Sequence, residues 1–153
     1  MTALTRSLTV QQIISETGTD MSKWPTVKHF TSWLTLAPRN DISGGKVLKS
    51  RTIKSKNRAA QAFRMAAHSV TRSKSALGGF FRRMRAKHGS PKAITATAHK
   101  IARIFFHMLK TKRPYLDPGE DHYEREHRAR VVRNLKRKAK ALGFELVPEP
   151  VVS

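Results

Sequence analysis

Ser43 is the residue whose neighbours best equip it for chemistry. It lies in the run Ile42-Ser43-Gly44-Gly45-Lys46, a hydroxyl followed by two glycines and a lysine. Without Cβ atoms the glycines let a large substrate approach the backbone N–H groups beside the hydroxyl. A serine oxygen attacking a phosphodiester needs positive charge nearby, to lower the cost of the alkoxide and to stabilise the charge that develops on phosphate. Lys46, Lys49, Arg51, Lys54, Lys56 and Arg58 follow in close succession and are the candidate phosphate contacts, with Gly44 and Gly45 as the point of close approach. By spacing alone, Ser-Gly-Gly is more often a flexible turn than a nucleophile.

No other cluster competes. The histidines, His29, His68, His88, His99, His107, His122 and His127, form no metal-ligand spacing with nearby acids; His122 and His127 stand five apart on a charged helix, where solvation is the simpler reading. Cysteine is absent, which excludes disulfides and cysteine-ligated zinc. Residues 1–41 hold only Glu16, Asp20 and Asp41 as acids, too few and too poorly patterned for a two-metal nuclease centre. No metal ligand is therefore assigned.

The elements that must position Ser43 read as helices. Residues 8–17 place Val10, Ile13 and Ile14 on one face and stop at Gly18. A second helix starts near Trp24-Pro25 and carries Val27, Phe30, Trp33 and Leu34, so the two suggest a helical hairpin. Residues 36–55 break the pattern with Pro38, Asn40, Asp41, Ser43, Gly44 and Gly45 and read as a long basic loop. Helices are then expected over 57–70 (Ala59, Phe63, Ala66, Ala67, Val70), 75–87 (Leu77, Phe80, Phe81, Met84) and 91–109 (Ile94, Ala98, Ile101, Phe105, Met108). Phe63, Phe80, Phe81, Phe105 and Phe106 are expected in the core rather than as base-stacking platforms. After the Asp117-Pro118-Gly119 turn comes a helix over 120–142, acidic at its start and basic at its end, in the order that complements the helix dipole. Its stripe of Val132, Leu135, Ala139 and Leu142 suits docking on the domain or on a coiled-coil partner.

The whole is a chain of 153 residues with a net charge of +21, which excludes an ordinary neutral enzyme. Placement says more than the total: residues 42–116 contain no carboxylate and hold 19 of the 31 Lys and Arg. Such a block repels itself and is relieved beside a polyanion, with nucleic acid the leading partner. Residues 1–14 lack the apolar core of a signal peptide and no run approaches the ~20 apolar residues of a spanning helix. A membrane surface is the weaker alternative, because the apolar faces of the basic helices read as core faces.

Several motifs occur in one order over most of the chain. Trp33-Leu34-Thr35-Leu36-Ala37-Pro38 precedes the Ser43 turn, which Arg51-Thr52-Ile53-Lys54 and Lys56-Asn57-Arg58-Ala59-Ala60 follow. Further on come Ala93-Ile94-Thr95-Ala96-Thr97-Ala98-His99-Lys100-Ile101-Ala102-Arg103, His107-Met108-Leu109-Lys110-Thr111 and Arg133-Asn134-Leu135-Lys136-Arg137. This set resembles the C-terminal domain of the insertion sequence 110/116/902 transposases. The resemblance implies a DNA recombinase guided by an RNA that the element itself encodes. A RuvC-like N-terminal domain with an acidic metal site would be joined through a coiled coil to this smaller domain, and Ser43 would attack a DNA phosphate to give a 5′-phosphoserine intermediate. Many members have glycine where this chain has Thr35, Ser50 and Lys56.

Together these readings set definite expectations. The fold is all-α: a compact helical domain with an N-terminal helical hairpin, a long basic Ser-Gly-Gly loop and a long C-terminal helix. Residues 1–116 form the serine domain, 117–143 a charged helix and 144–153 a tail. The chain looks like the C-terminal portion of a longer transposase, inactive without its RuvC-like domain; Mg2+ is expected only there, and no cofactor in this chain. Partners are DNA and guide RNA, with a homo-oligomer for the full-length protein and no membrane; the setting is cytoplasmic, bacterial and nucleoid-associated. The alternative is a small basic protein that binds nucleic acid without catalysis.

Overall fold

The computed structural model describes residues 3–53 and 56–149, and within them the chain folds as six helices and one two-stranded sheet. In order these are α1 (Ala3–Thr17), α2 (Val27–Trp33), β1 (Arg39–Ser43), β2 (Lys46–Arg51), α3 (Arg58–Ser69), α4 (Ala76–His88), α5 (Ser90–Thr111) and α6 (Glu120–Ala141). The helical class expected from the apolar spacing holds.

Helix ends follow side-chain chemistry. Asn57 caps α3 by accepting from the Ala60 N–H at 3.0 Å, and Ser75 caps α4 by accepting from the Gly78 N–H at 3.0 Å. Gly18, at φ +72°, closes α1 with its N–H donating to the Ile14 carbonyl. Pro91 sits in the first turn of α5, where its missing N–H costs nothing.

The core is built on α5, which α3 and α4 cover along its length and α2 crosses. Alanines make the close approaches: Ala59, Ala60, Ala62 and Ala67 of α3 and Ala93, Ala98 and Ala102 of α5 are all buried. Between them lies an aromatic cluster centred on Phe30. Its ring packs edge-on against Trp24 at 4.9 Å and Phe63 at 6.3 Å, and lies 5.6 Å from Phe106. Such contacts add roughly 0.5–1.5 kcal/mol each beyond area burial. Phe63, Phe81 and Phe106 are buried as expected and Phe105 is half-buried against the core, whereas Phe80, expected there too, packs beside Tyr123 of α6 instead.

Two expectations about architecture need correction. The first two helices form no hairpin, because each finds its partner elsewhere: α1 lies on α3 and α2 on α5. The inward face of α1 is Ile13 and Thr17, one turn apart, whereas Val10 is exposed. The second correction is the long loop. Residues 39–51 form an antiparallel hairpin whose register runs from Arg39 opposite Arg51 to Ser43 opposite Lys46, with one irregularity between Asp41 and Ile42. Gly44 and Gly45 link the strands at φ +54° and +75°. Positive φ at both central positions is the type I′ geometry, whose twist matches that of the strands it joins.

Helix α6 docks on α4 through its first half. Glu120 pairs with Arg82 and Glu124 with Arg83, and Tyr123 covers Gly79, where a Cβ would stand 3.0 Å from its ring. The Lys100 amine lies 4.5 Å from the Phe80 ring centre and 5.3 Å from that of Tyr123, so a cation–π contact ties α5 to the same junction. Burial, with Arg130 and Arg103 nearby, lowers the Lys100 pKa. Of the two roles expected for the Val132 stripe, docking on the domain is not what the structure shows, since Val132 and Leu135 are exposed and no residue of α6 is buried. Residues 144–149 have no regular structure, and 150–153 of the expected tail lie outside the described residues.

Candidate functional site

The site begins with two anchors on the helical core. Leu36 is buried, and its N–H and that of Ala37 donate to the Thr31 carbonyl, which fixes where the chain leaves α2. The returning chain is caught at Asn57, whose side-chain amide donates to the Trp33 carbonyl at 3.2 Å. Between these points the hairpin stands away from the core. Every residue of both strands is exposed, so the arm is held by its own ladder and its base.

The pairing sorts its residues by face, because side chains opposite one another in an antiparallel ladder share a side. Ser43 pairs with Lys46, Asp41 with Lys49 and Arg39 with Arg51. One face thus carries the serine and four cations against one carboxylate. Ile42, opposite Val47, belongs to the other face, and both are more than half exposed. The result is a two-sided arm with one cationic face and one that is apolar at the tip, through Ile42 and Val47, and polar toward the base, through Asn40 and Ser50.

Ser43 ends β1 at the tip of this arm. Among the described residues its hydroxyl has no hydrogen-bond partner, and no histidine, carboxylate or amine holds its proton. A hydroxyl so placed is accessible to a large substrate but is not activated. Lys46 is the nearest cation in register, able to neutralise a phosphate oxygen drawn to the tip.

The expected contact residues are distributed unevenly. Gly44, Gly45, Lys46, Lys49 and Arg51 come together on the arm. Lys56 is exposed beside its base, and Lys54 lies outside the described residues. Arg58 is differently engaged: its Nε meets Glu16 of α1 at 3.2 Å, so it helps hold α1 to α3. Arg39, overlooked in the sequence, joins the cationic face because the register places it opposite Arg51. A second feature with no linear signal is a cleft of about 460 Å³ where Arg72, Arg82 and Arg85 meet His68, with Phe81 and Ile94 in its wall. Among the described residues no three His, Asp or Glu side chains gather as a metal site, and no helix is long and apolar enough to cross a membrane.

The fold is thus a strongly basic helical domain that extends an exposed, serine-tipped arm. The model of the transposase IS116/IS110/IS902 family matches residues 6–82, about half of the chain, from α1 through the arm and into α4. The chain belongs to that family, a membership that points to a role in transposition with DNA as partner. No curated protein and no solved structure matches it.

Proposed function

We propose that this chain supplies the serine nucleophile of a transposase and holds the DNA strand that the serine attacks. The observation that carries this reading is the position of Ser43 at the tip of the cationic face, opposite Lys46 and flanked by two glycines whose backbone is open to solvent. In the step proposed, the Ser43 hydroxyl gives up its proton and its oxygen bonds to a backbone phosphorus. The bond from phosphorus to the 3′ oxygen breaks, and that oxygen takes up a proton. The products are a 5′-phosphoserine and a free 3′ hydroxyl, so one phosphoester is exchanged for another and the bond is conserved for rejoining.

Lys46, Lys49, Arg51 and Arg39 neutralise the phosphates on either side of the attacked one. The unpartnered state of the Ser43 hydroxyl means that its proton must be taken by a group arriving with the substrate or with a RuvC-like domain, the assembly in which Mg2+ would act. Guide RNA, a homo-oligomer and a nucleoid setting belong to the same reading.

The same unpartnered hydroxyl favours a second reading, a small basic protein that binds nucleic acid and cuts nothing. One experiment separates the two. The chain is incubated with labelled element-end DNA and guide RNA, with a RuvC-like domain supplied separately, and protein–DNA adducts are resolved under denaturing conditions. An adduct formed by the native chain and lost in Ser43→Ala is the expected result; an adduct that survives in Ser43→Ala overturns the serine assignment. A passive binder responds to Lys46→Gln, Lys49→Gln and Arg51→Gln in affinity and forms no adduct.

A further inference from the structure

We propose that the outward face of α6 is a second nucleic-acid contact, a cationic ridge that enters the major groove of B-form duplex DNA independently of the serine arm. The helix lies beyond residues 6–82, the family match, and its charges are divided along its length. Two of its early acids, Glu120 and Glu124, are used up by Arg82 and Arg83 of α4 in docking. From Arg128 to Lys140 the helix carries no acid at all.

A helical step of about 100° per residue puts Arg125, Ala129, Val132 and Lys136 in one row on the side away from Tyr123, with Arg128, Arg133 and Lys140 flanking it. Arg125, Arg128, Ala129, Val132, Arg133 and Lys136 line one shallow surface depression, consistent with a shared face. All are exposed, and among the described residues none of these cations is in an ion pair. Like charges three and four residues apart destabilise a helix by a few tenths of a kcal/mol per pair. The chain retains several such pairs with no internal contact to offset them, and a polyanion supplies the missing partner.

The shape selects the kind of polyanion. At 1.5 Å per residue the ridge from Arg125 to Lys140 is about 22 Å long. A helix of about 10–12 Å diameter fits the major groove of B-DNA, about 12 Å wide, whereas the major groove of A-form RNA is too narrow. Ala129 and Val132 in the centre of the row allow close approach and suit the methyl group of thymine, while the flanking cations reach phosphates on both strands.

The test measures binding of the full chain to a duplex of about 20 base pairs, two helical turns, over a range of salt concentrations. The variant Arg125→Gln/Arg128→Gln/Arg133→Gln/Lys136→Gln is compared with a charge-matched control, Lys74→Gln/Lys87→Gln/Lys92→Gln/Lys112→Gln, and circular dichroism checks that both keep their helix content. Each lost phosphate contact lowers the slope of log K against log salt by about 0.9. The ridge variant is expected to lose about 3 to 4 in slope and the control less than 1. Equal losses in ridge variant and control overturn the proposal. A duplex RNA of the same length that binds as tightly, and loses as much slope in the ridge variant, overturns the groove assignment.

Discussion

The side-chain amide of Asn57 donates to the carbonyl oxygen of Trp33 across 3.2 Å, joining residues 24 apart in the chain at the base of the serine arm. The same side chain accepts from the Ala60 N–H, so one residue closes the arm and caps α3. The two roles can be separated. Asn57→Asp keeps the accepting oxygen and loses the donor, so it is expected to keep α3 intact while loosening the arm. Asn57→Ala loses both, at a cost of about 1–2 kcal/mol. Amide exchange supplies the readout: protection of β1 and β2 falls in both variants, that of the first turn of α3 only in Asn57→Ala.

Thr35, between α2 and the arm, has φ +55°. A β-branched side chain in the left-handed region crowds its own backbone and costs roughly 1–2 kcal/mol. Glycine, with no Cβ, adopts this backbone conformation without that cost. Thr35→Gly is expected to stabilise the protein by about 1 kcal/mol, less the added freedom of the unfolded chain. For a chain of this size that raises Tm by about 2–4 °C in a thermal melt. An unchanged or lowered Tm would show that the turn carries no such strain.

What could be read from the linear sequence depended on how each element is held. The later helices announce themselves by apolar spacing and by Asn57, Ser75 and Pro91 at their starts, because their stability comes from one buried stripe each. The arm buries nothing, so no alternation of buried and exposed residues marks it, and its turn formers and lysines read as loop. The overlooked signal was local: two glycines between Ser43 and Lys46 are a two-residue hairpin turn. Ser43 was visible as a residue type beside those glycines, whereas its pairing with Lys46, and the recruitment of Arg39, depend on register. The aromatic cluster around Phe30 and the docking of α6 by Glu120 and Glu124 arise from tertiary contacts between distant elements.

The turn itself makes a sharp test of the arm. A Cβ on Gly44 or Gly45 would meet nothing within 4 Å, so space is not what requires glycine; φ is. Asparagine tolerates the left-handed region, and Gly44→Asn is expected to preserve the hairpin. Valine does not, and Gly45→Val adds roughly 1–2 kcal/mol of strain to a two-stranded ladder that is marginal alone. In Gly45→Val the strand signals of residues 39–51 should vanish from an NMR spectrum while the helical core melts at the native temperature. A fall in core Tm would mean that the arm supports the core.

His99, half-buried on α5, supplies the expected pH dependence. Burial lowers its pKa from the ordinary 6.5, and the Arg103 charge one turn on lowers it further. His127 is shifted in the same direction by burial and then by Arg83 and Arg130, against the opposing pull of Glu124. With folded pKa values below the unfolded ones, the unfolded chain binds more protons as the pH drops through 6.5. Stability is therefore fully present above that point, falls as the pH decreases, and levels off once the folded pKa has been passed. Thermal melts from pH 8 to 5 should show Tm declining on the acid side. His99→Gln should reduce the decline and His99→Gln/His127→Gln should reduce it further; the same decline in all three proteins would assign the acid sensitivity to other groups.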